Sequence, residues 1–292
     1  MKLPFKQVDV FTSTPFGGNP VAVVLDASLL VETQMRSIAN WTNLSETTFV
    51  FPPTQPGADY RLRIFTPRAE LPFAGHPTIG TAHALIEGGL IQPRHGRIIQ
   101  ECMAGLITLT VTADPTRIQR IAFKLPRAHL TLLTQTQIQE MSHILGASAS
   151  GSRPPAFVDV GPVWSVVQLP DAHSVLSLQP DLTALASFDG RYGSVGVMVF
   201  GRKELGATEA FEVRAFAPIL GVNEDPVCGS GNGCVAAYIA ATGQRAEVGN
   251  QYIASQGSIV GREGRIDISF DESGGIYVGG QATTLIEGIL NT

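Results

Sequence analysis

The sequence predicts an α+β fold of two pseudo-symmetric lobes, each a curled, mostly antiparallel sheet around one central helix. Three observations point there. A motif is written twice, as Arg63-Ile64-Phe65-Thr66-Pro67 with Glu70-Leu71-Pro72-Phe73-Ala74-Gly75, and as Arg214-Ala215-Phe216-Ala217-Pro218 with Glu224-Asp225-Pro226-Val227-Cys228-Gly229. Val8-Asp9-Val10 recurs as Val158-Asp159-Val160, and Phe49-Val50-Phe51 as Met198-Val199-Phe200, in order and about 150 positions on. Self-similarity at half the chain length indicates two equivalent lobes rather than the short repeats of a solenoid. Finally, many strand-like runs surround one long apolar helical segment in each half.

In chain order, Gln7 to Phe11 and Val21 to Leu25 are β-branched runs separated by a Thr-Ser-Thr-Pro-Phe-Gly-Gly-Asn-Pro turn cluster. Leu30, Met35, Ile38 and Ala39 stand near helical spacing, with Asn40 as the expected stop. Thr47 to Phe51 and Tyr60 to Phe65 read as strands, and Pro77 to Glu87 as a helix with proline in its first turn, where a missing N–H costs little. Arg97 to Cys102 and Leu106 to Thr112 form a hairpin around Ala104-Gly105. The charged stretch Ala113 to Arg127 marks a crossover, so one domain is expected over residues 1–117 with about 281–292, and a second over 118–280.

The second lobe is expected to open with strand Ile121 to Phe123 and a helix from Thr136 to Leu145, stopped at Gly146. A Gly/Pro-rich loop, Ala149 to Pro155, follows, then strands at Phe157 to Val160, Trp164 to Leu169, Gly196 to Phe200 and Phe211 to Phe216. A helix after Gly233 carries Val235, Tyr238 and Ile239 and ends near Gly243, and strands from Ser258 to Leu290 finish the chain.

Composition narrows the function. With 292 residues and 44% hydrophobic content there is material for two buried cores. A net charge of −5 gives no electrostatic footprint for nucleic acid or anionic membrane. No apolar run approaches a membrane span, and the segment after Met1 lacks the apolar core of a signal peptide, so a cytoplasmic protein is expected. The three cysteines, Cys102, Cys228 and Cys234, have neither disulfide parity nor zinc spacing. His76 and His83 share a helix face without an acidic or cysteine partner to complete a metal set, so no metal is expected.

The chemistry concentrates at two helix starts. Gly75-His76 and Gly229-Ser230-Gly231 each precede an apolar helix, where free backbone N–H groups and the positive dipole end suit a carboxylate or phosphate. Either these glycines only shape a turn, or the two termini face one another and hold a small anion; the duplication favours the second. Glu46 enters an apolar strand, as a solvated strand end or as a general base whose pKa burial would raise. Its counterpart falls in Val195-Gly196-Val197, so only the first lobe carries the carboxylate. Asp225 before Pro226 is either turn chemistry or an acid for a substrate amine or hydroxyl. Cys228 is a buried small residue or a thiolate base, and its duplicate position holds Ala74.

These residues resemble the PhzF-like phenazine-biosynthesis family. The resemblance rests on Val8-Asp9-Val10-Phe11, Gly18-Asn19-Pro20-Val21-Ala22-Val23, Ser45-Glu46-Thr47-Thr48-Phe49, Phe65-Thr66-Pro67, Ala74-Gly75-His76-Pro77-Thr78-Ile79-Gly80 and Glu224-Asp225-Pro226-Val227-Cys228-Gly229-Ser230. It implies the diaminopimelate-epimerase-like fold, with the active site in the cleft between lobes. It also implies a cofactor-independent isomerase that moves a proton between carbons of trans-2,3-dihydro-3-hydroxyanthranilate. In that family a single glutamate does the proton work, here Glu46, while Asn19, Ser45, Gly75, His76, Asp225, Gly229 and Ser230 would line the pocket for a small anionic substrate. A homodimer follows from the same resemblance. Threonine is common in the family where Cys228 stands, which leaves a one-thiol, one-carboxylate variant or a two-base epimerase as alternatives. A non-catalytic small-anion binding homologue is a further one.

Overall fold

Alternating buried and exposed residues drive Lys2–Val10 (β1) into an extended strand that pairs antiparallel with Asn19–Val24 (β2). The helix Glu32–Thr42 (α1) buries Met35, Ile38 and Ala39 and ends at Asn43, in the left-handed region at φ 53°. The stop expected at Asn40 therefore falls three residues later. Asparagine tolerates that conformation because its short side chain bonds locally, and the second of two nearby asparagines takes the turn. Glu46–Phe51 (β3) runs parallel to β2 and Tyr60–Phe65 (β4) antiparallel to β3, with Glu70–Leu71 (β5) folded back on β4. After helix Gly75–Glu87 (α2), Arg97–Cys102 (β6) lies parallel to β4, and Gly105–Ala113 (β7) and Gln119–Lys124 (β8) add antiparallel.

The second unit repeats this order. His129–Leu132 (β9) and helix Gln135–Leu145 (α3) lead in, α3 capped by the Thr134 hydroxyl. Ala156–Asp159 (β10) pairs antiparallel with β9 and with Val163–Gln168 (β11). Two helices, Ala172–Leu176 (α4) and Leu182–Tyr192 (α5), precede Gly196–Arg202 (β12), which runs parallel to β11. Phe211–Ala217 (β13) is antiparallel to β12 and carries the short Val222–Asp225 (β14). Gly229–Ala241 (α6) and Arg245–Val248 (α7) follow. Gln251–Gln256 (β15) lies parallel to β13 and Gly264–Phe270 (β16) antiparallel to β15. After Ile276–Gly280 (β17), the strand Ala282–Asn291 (β18) pairs antiparallel along all of β1.

This structure is a computed structural model, and it describes residues 1–113, 119–149 and 153–292. The chain divides into two compact units, Met1–Lys124 with Gly279–Thr292, and Leu125–Val278. The expected boundary at 117–118 lies outside the described residues, as does part of the loop read over Ala149 to Pro155. The strand read as opening the second lobe, Ile121 to Phe123, is instead β8 of the first unit. It pairs with β7, and Phe123 packs edge-on against Phe73 at 5.3 Å. No helix among the described residues is long and apolar enough to cross a membrane.

Each unit wraps its sheet around one helix. From Gly75 to Ile86, α2 is buried at every position but His83, and it packs against β1, β2, β3, β8 and β18. A helix apolar all round belongs inside. Gly80 allows the close approach, since a Cβ there would lie 2.5 Å from Val21 Cγ1. In the second unit α6 packs on β10, β11, β12 and β16. The structure starts α6 at Gly229 rather than after Gly233, because its glycines face crowded neighbours. A Cβ on Gly231 would meet Met198 at 2.2 Å, and one on Gly233 would meet Leu125 at 2.5 Å.

The duplicated Arg-x-Phe-x-Pro…Glu motif is a staple for the hairpin ahead of each central helix. Arg63 Nε and Nη2 donate to the two carboxylate oxygens of Glu70, each at 2.6 Å. Arg214 does the same to Glu224 at 2.9 and 2.8 Å. Each guanidinium also lies over the phenylalanine two residues on, Phe65 at 5.1 Å and Phe216 at 4.7 Å.

Candidate active site

Glu46 opens β3, opposite Val21 of β2. Strand alternation puts its side chain on the same face as Thr48. Thr48 accepts a hydrogen bond of 2.9 Å from Thr81 of α2, which ties that helix to β3. Tyr60 donates to Gln100 at 2.9 Å, and Gln100 donates to Thr78 at 3.1 Å, fixing the first turn of α2 from its other side. The result places His76 Nε2 3.2 Å from Glu46 Oε2, with the His76 side chain 8% and the Glu46 side chain 15% exposed. Burial pushes the His76 pKa down to about 3. Its imidazole therefore stands beside the carboxylate as a neutral group, not as a counter-charge. Further along the same helix, His83 Nε2 lies 3.8 Å from Glu87 Oε1.

Ser45 donates to Asn19 Oδ1 at 3.5 Å, so these two also meet beside Glu46. Asn19 is buried because Gly18 brings the loop onto β1; a Cβ on Gly18 would lie 2.3 Å from the Val10 carbonyl oxygen. Gly75 begins α2 behind Ala74, whose side chain offers no cap. The amides of Gly75 and His76 stand in the first helical turn, where no intrahelical acceptor exists and the dipole is positive.

In the second unit, Asp225 ends β14, and its Oδ1 accepts from the Val227 amide at 3.0 Å. The residue is partly exposed, but the carboxyl group is surrounded by protein, and burial raises its pKa to about 6. Cys228 caps α6, its Sγ accepting from the Gly231 amide at 3.4 Å. Burial first, and the Asp225 charge second, push this thiol well above its usual range. It is held protonated, which disfavours a thiolate base. Gly229 is the first residue of α6. Ser230 Oγ accepts from the Trp164 indole N–H at 3.3 Å and lies 3.7 Å from Cys228 Sγ, which can take the serine proton.

Sequence reasoning missed what organises that helix start. Gln256, at the end of β15, donates to the Asp225 carbonyl at 2.8 Å. It also accepts from the Cys228 amide at 3.2 Å and from Asn232 Nδ2 at 2.8 Å. No spacing links residues 225, 232 and 256, so only the folded chain brings them together.

A family model described as phenazine biosynthesis-like protein (PhzC-PhzF) matches residues 8–288. The chain is 46% identical over 291 residues to a Schizosaccharomyces pombe protein named Antisense-enhancing sequence 1, covering 97% of each. It is 38% identical over 268 residues to a Pseudomonas chlororaphis trans-2,3-dihydro-3-hydroxyanthranilate isomerase, covering 89% of this chain and 90% of that one. Among solved structures, a Bacillus anthracis phenazine biosynthesis protein of the PhzF family shares the fold with a TM-score of 0.88, at 24% identity and with both chains covered in full.

Proposed function

Because the chain belongs to the phenazine biosynthesis-like (PhzC-PhzF) family, several of whose members are named as isomerases, we propose that it is a cofactor-independent isomerase with Glu46 as its acid/base. The substrate is a small carboxylate of the trans-2,3-dihydro-3-hydroxyanthranilate type, the compound named for three Pseudomonas relatives of this chain. Glu46 takes a proton from a ring carbon, the electron pair of that C–H bond forms a new double bond to the adjacent carbon, and the π pair of the former double bond shifts to a second carbon. The protonated carboxyl then returns the same proton to that second carbon, so the product has the substrate's formula and Glu46 is regenerated. Asn19, Ser45, Gly75 and His76, in the same unit as Glu46, bind the substrate's polar groups.

The observation that supports this reading most is the 3.2 Å approach of His76 to Glu46, with the histidine kept neutral by burial. A cationic imidazole would hold the carboxylate in an ion pair and oppose its protonation. The two-base alternative through Cys228 is weaker, since that thiol is held protonated and Ala74 offers no partner at the duplicate position.

The test is Glu46→Gln, which preserves size and removes the proton acceptor. Turnover of trans-2,3-dihydro-3-hydroxyanthranilate should fall by about 100-fold or more, the usual worth of a positioned acid/base group. Thermal unfolding should stay close to the parent, and Cys228→Ala should keep far more turnover than Glu46→Gln. Full turnover in Glu46→Gln would refute the assignment.

A further inference from the structure

The two units carry the same surface groove, and only one of them is lined with arginine. In the first unit Arg36, Ser37 and Asn40 of α1 and Thr66, Pro67 and Arg68 after β4 enclose about 300 Å³. In the second, a groove of about 450 Å³ lies against α5 and is lined by Ala186, Ser187, Pro218 and Asn223, among others. Helices α1 and α5 begin 150 positions apart (182 − 32), so Arg36 corresponds to Ala186 and Ser37 to Ser187. The duplicated motif is offset by 151 (214 − 63), so Pro67 corresponds to Pro218 and Arg68 to Ile219. The fold thus makes the groove twice, and only the first unit's is lined with arginine. In the second unit Ile219 lies beside Gly190, 3.7 Å from where a Cβ would stand, and makes an apolar contact at the same place.

The first groove is also prearranged for an anion. Arg36 Nε and Nη2 donate to Glu32 Oε1 at 3.0 and 2.8 Å, and its guanidinium lies 5.6 Å from the Phe65 ring centroid, which leaves Nη1 uncommitted to Glu32. Arg68 sits on a locked turn, in which the Thr66 hydroxyl accepts from the Arg68 amide at 3.1 Å and from the Ala69 amide at 2.9 Å. Asn40 ties helix and turn together by donating to the Pro67 carbonyl at 3.4 Å. Among the described residues, the ion pairs beside the groove join Arg36 and Arg63 to Glu32 and Arg63 to Glu70, and Arg68 makes none within 4.0 Å. The Ser37 and Thr66 hydroxyls already donate to backbone carbonyls, at 2.9 and 3.1 Å, so the donors offered to a ligand are those of the guanidinium groups.

We propose that the groove formed by Arg36, Arg68 and Asn40 binds the phosphate of a small phosphate monoester. Planar guanidinium forks match phosphate oxygens in pairs, and two of them supply more donors than a lone carboxylate can accept. The groove's open side leaves the ester oxygen free to carry an organic group. None of these residues is among those assigned to the proton chemistry at Glu46.

The test is a titration of the whole protein at low ionic strength with inorganic phosphate, glycerol phosphate and acetate, read by calorimetry. Saturable binding of one phosphate and one glycerol phosphate per chain is expected, with acetate much weaker. Arg68→Gln and Arg36→Gln should each weaken phosphate by roughly tenfold or more, as loss of a charged hydrogen-bonding group does. Arg94→Gln, at an arginine whose side chain is 84% exposed, should leave it unchanged. Absent saturation, acetate binding as tight as phosphate, glycerol phosphate failing to bind, or an equal loss in Arg94→Gln would each overturn the proposal.

Discussion

Glu224→Gln removes one charge from a buried fork while keeping the side chain's shape. Arg214 and Glu224 are 6% and 11% exposed, and Arg214 Nη1 already donates to the carbonyls of Val175 at 3.2 Å and Leu178 at 2.8 Å. With the carboxylate gone, the guanidinium keeps its charge in a site shielded from water, a loss of about 3–5 kcal/mol. The duplicated pair provides the control. Arg63 is 26% exposed and retains Glu32 at 2.9 Å as a second partner, so Glu70→Gln should cost only about 1 kcal/mol. Urea unfolding, followed by far-UV circular dichroism and by Trp164, which is 3% exposed and sits in the second unit, reads the two variants directly. The midpoint should fall steeply for Glu224→Gln and slightly for Glu70→Gln. Equal losses, or a larger one for Glu70→Gln, would refute the claim that burial of the fork sets its contribution.

Two other outcomes follow from buried groups. Asp189 is fully buried, accepts from the Ser194 hydroxyl at 2.6 Å, and has its pKa raised by burial to about 6. A carboxyl whose pKa is raised on folding favours the folded state below its ordinary pKa, and that contribution is lost as pH rises through the folded value. Relative to Asp189→Asn, the parent should therefore lose about 2–3 kcal/mol of stability between pH 4 and pH 7; parallel profiles in the two proteins would exclude it. Gly201→Ala would set a Cβ 2.2 Å from the Asp171 carbonyl oxygen, a backbone atom that cannot step aside. That substitution should cost about 1–3 kcal/mol in thermal unfolding and leave KM unchanged if the protein stays folded.

What the sequence disclosed was whatever it repeats or writes locally. The fold class followed from the twin Arg-x-Phe-x-Pro…Glu motif, which the structure explains as twin ion pairs, one at each hairpin. Helices α4 and α5 were not expected, although Asp171 and Asp181 mark them, each aspartate accepting from the amide three residues on. β8 was placed in the wrong half because its alternation names a strand but not the strand it pairs with. Glu46 and His76 were each singled out, yet thirty residues and two elements separate them, and no periodicity sets that distance. Their approach depends on the Thr81 to Thr48 bond and the Gln100 brace, both long-range.

The pairing of β18 along the whole of β1 governs the order in which the chain can be completed. During synthesis Met1–Lys124 emerges before Leu125–Val278 but lacks β18 beside β1 until Asn291 has left the ribosome. Leu125–Val278, nested within that interval, has all its own strands sooner. The half carrying Glu46 therefore waits on β18, made after the whole of Leu125–Val278, to mature.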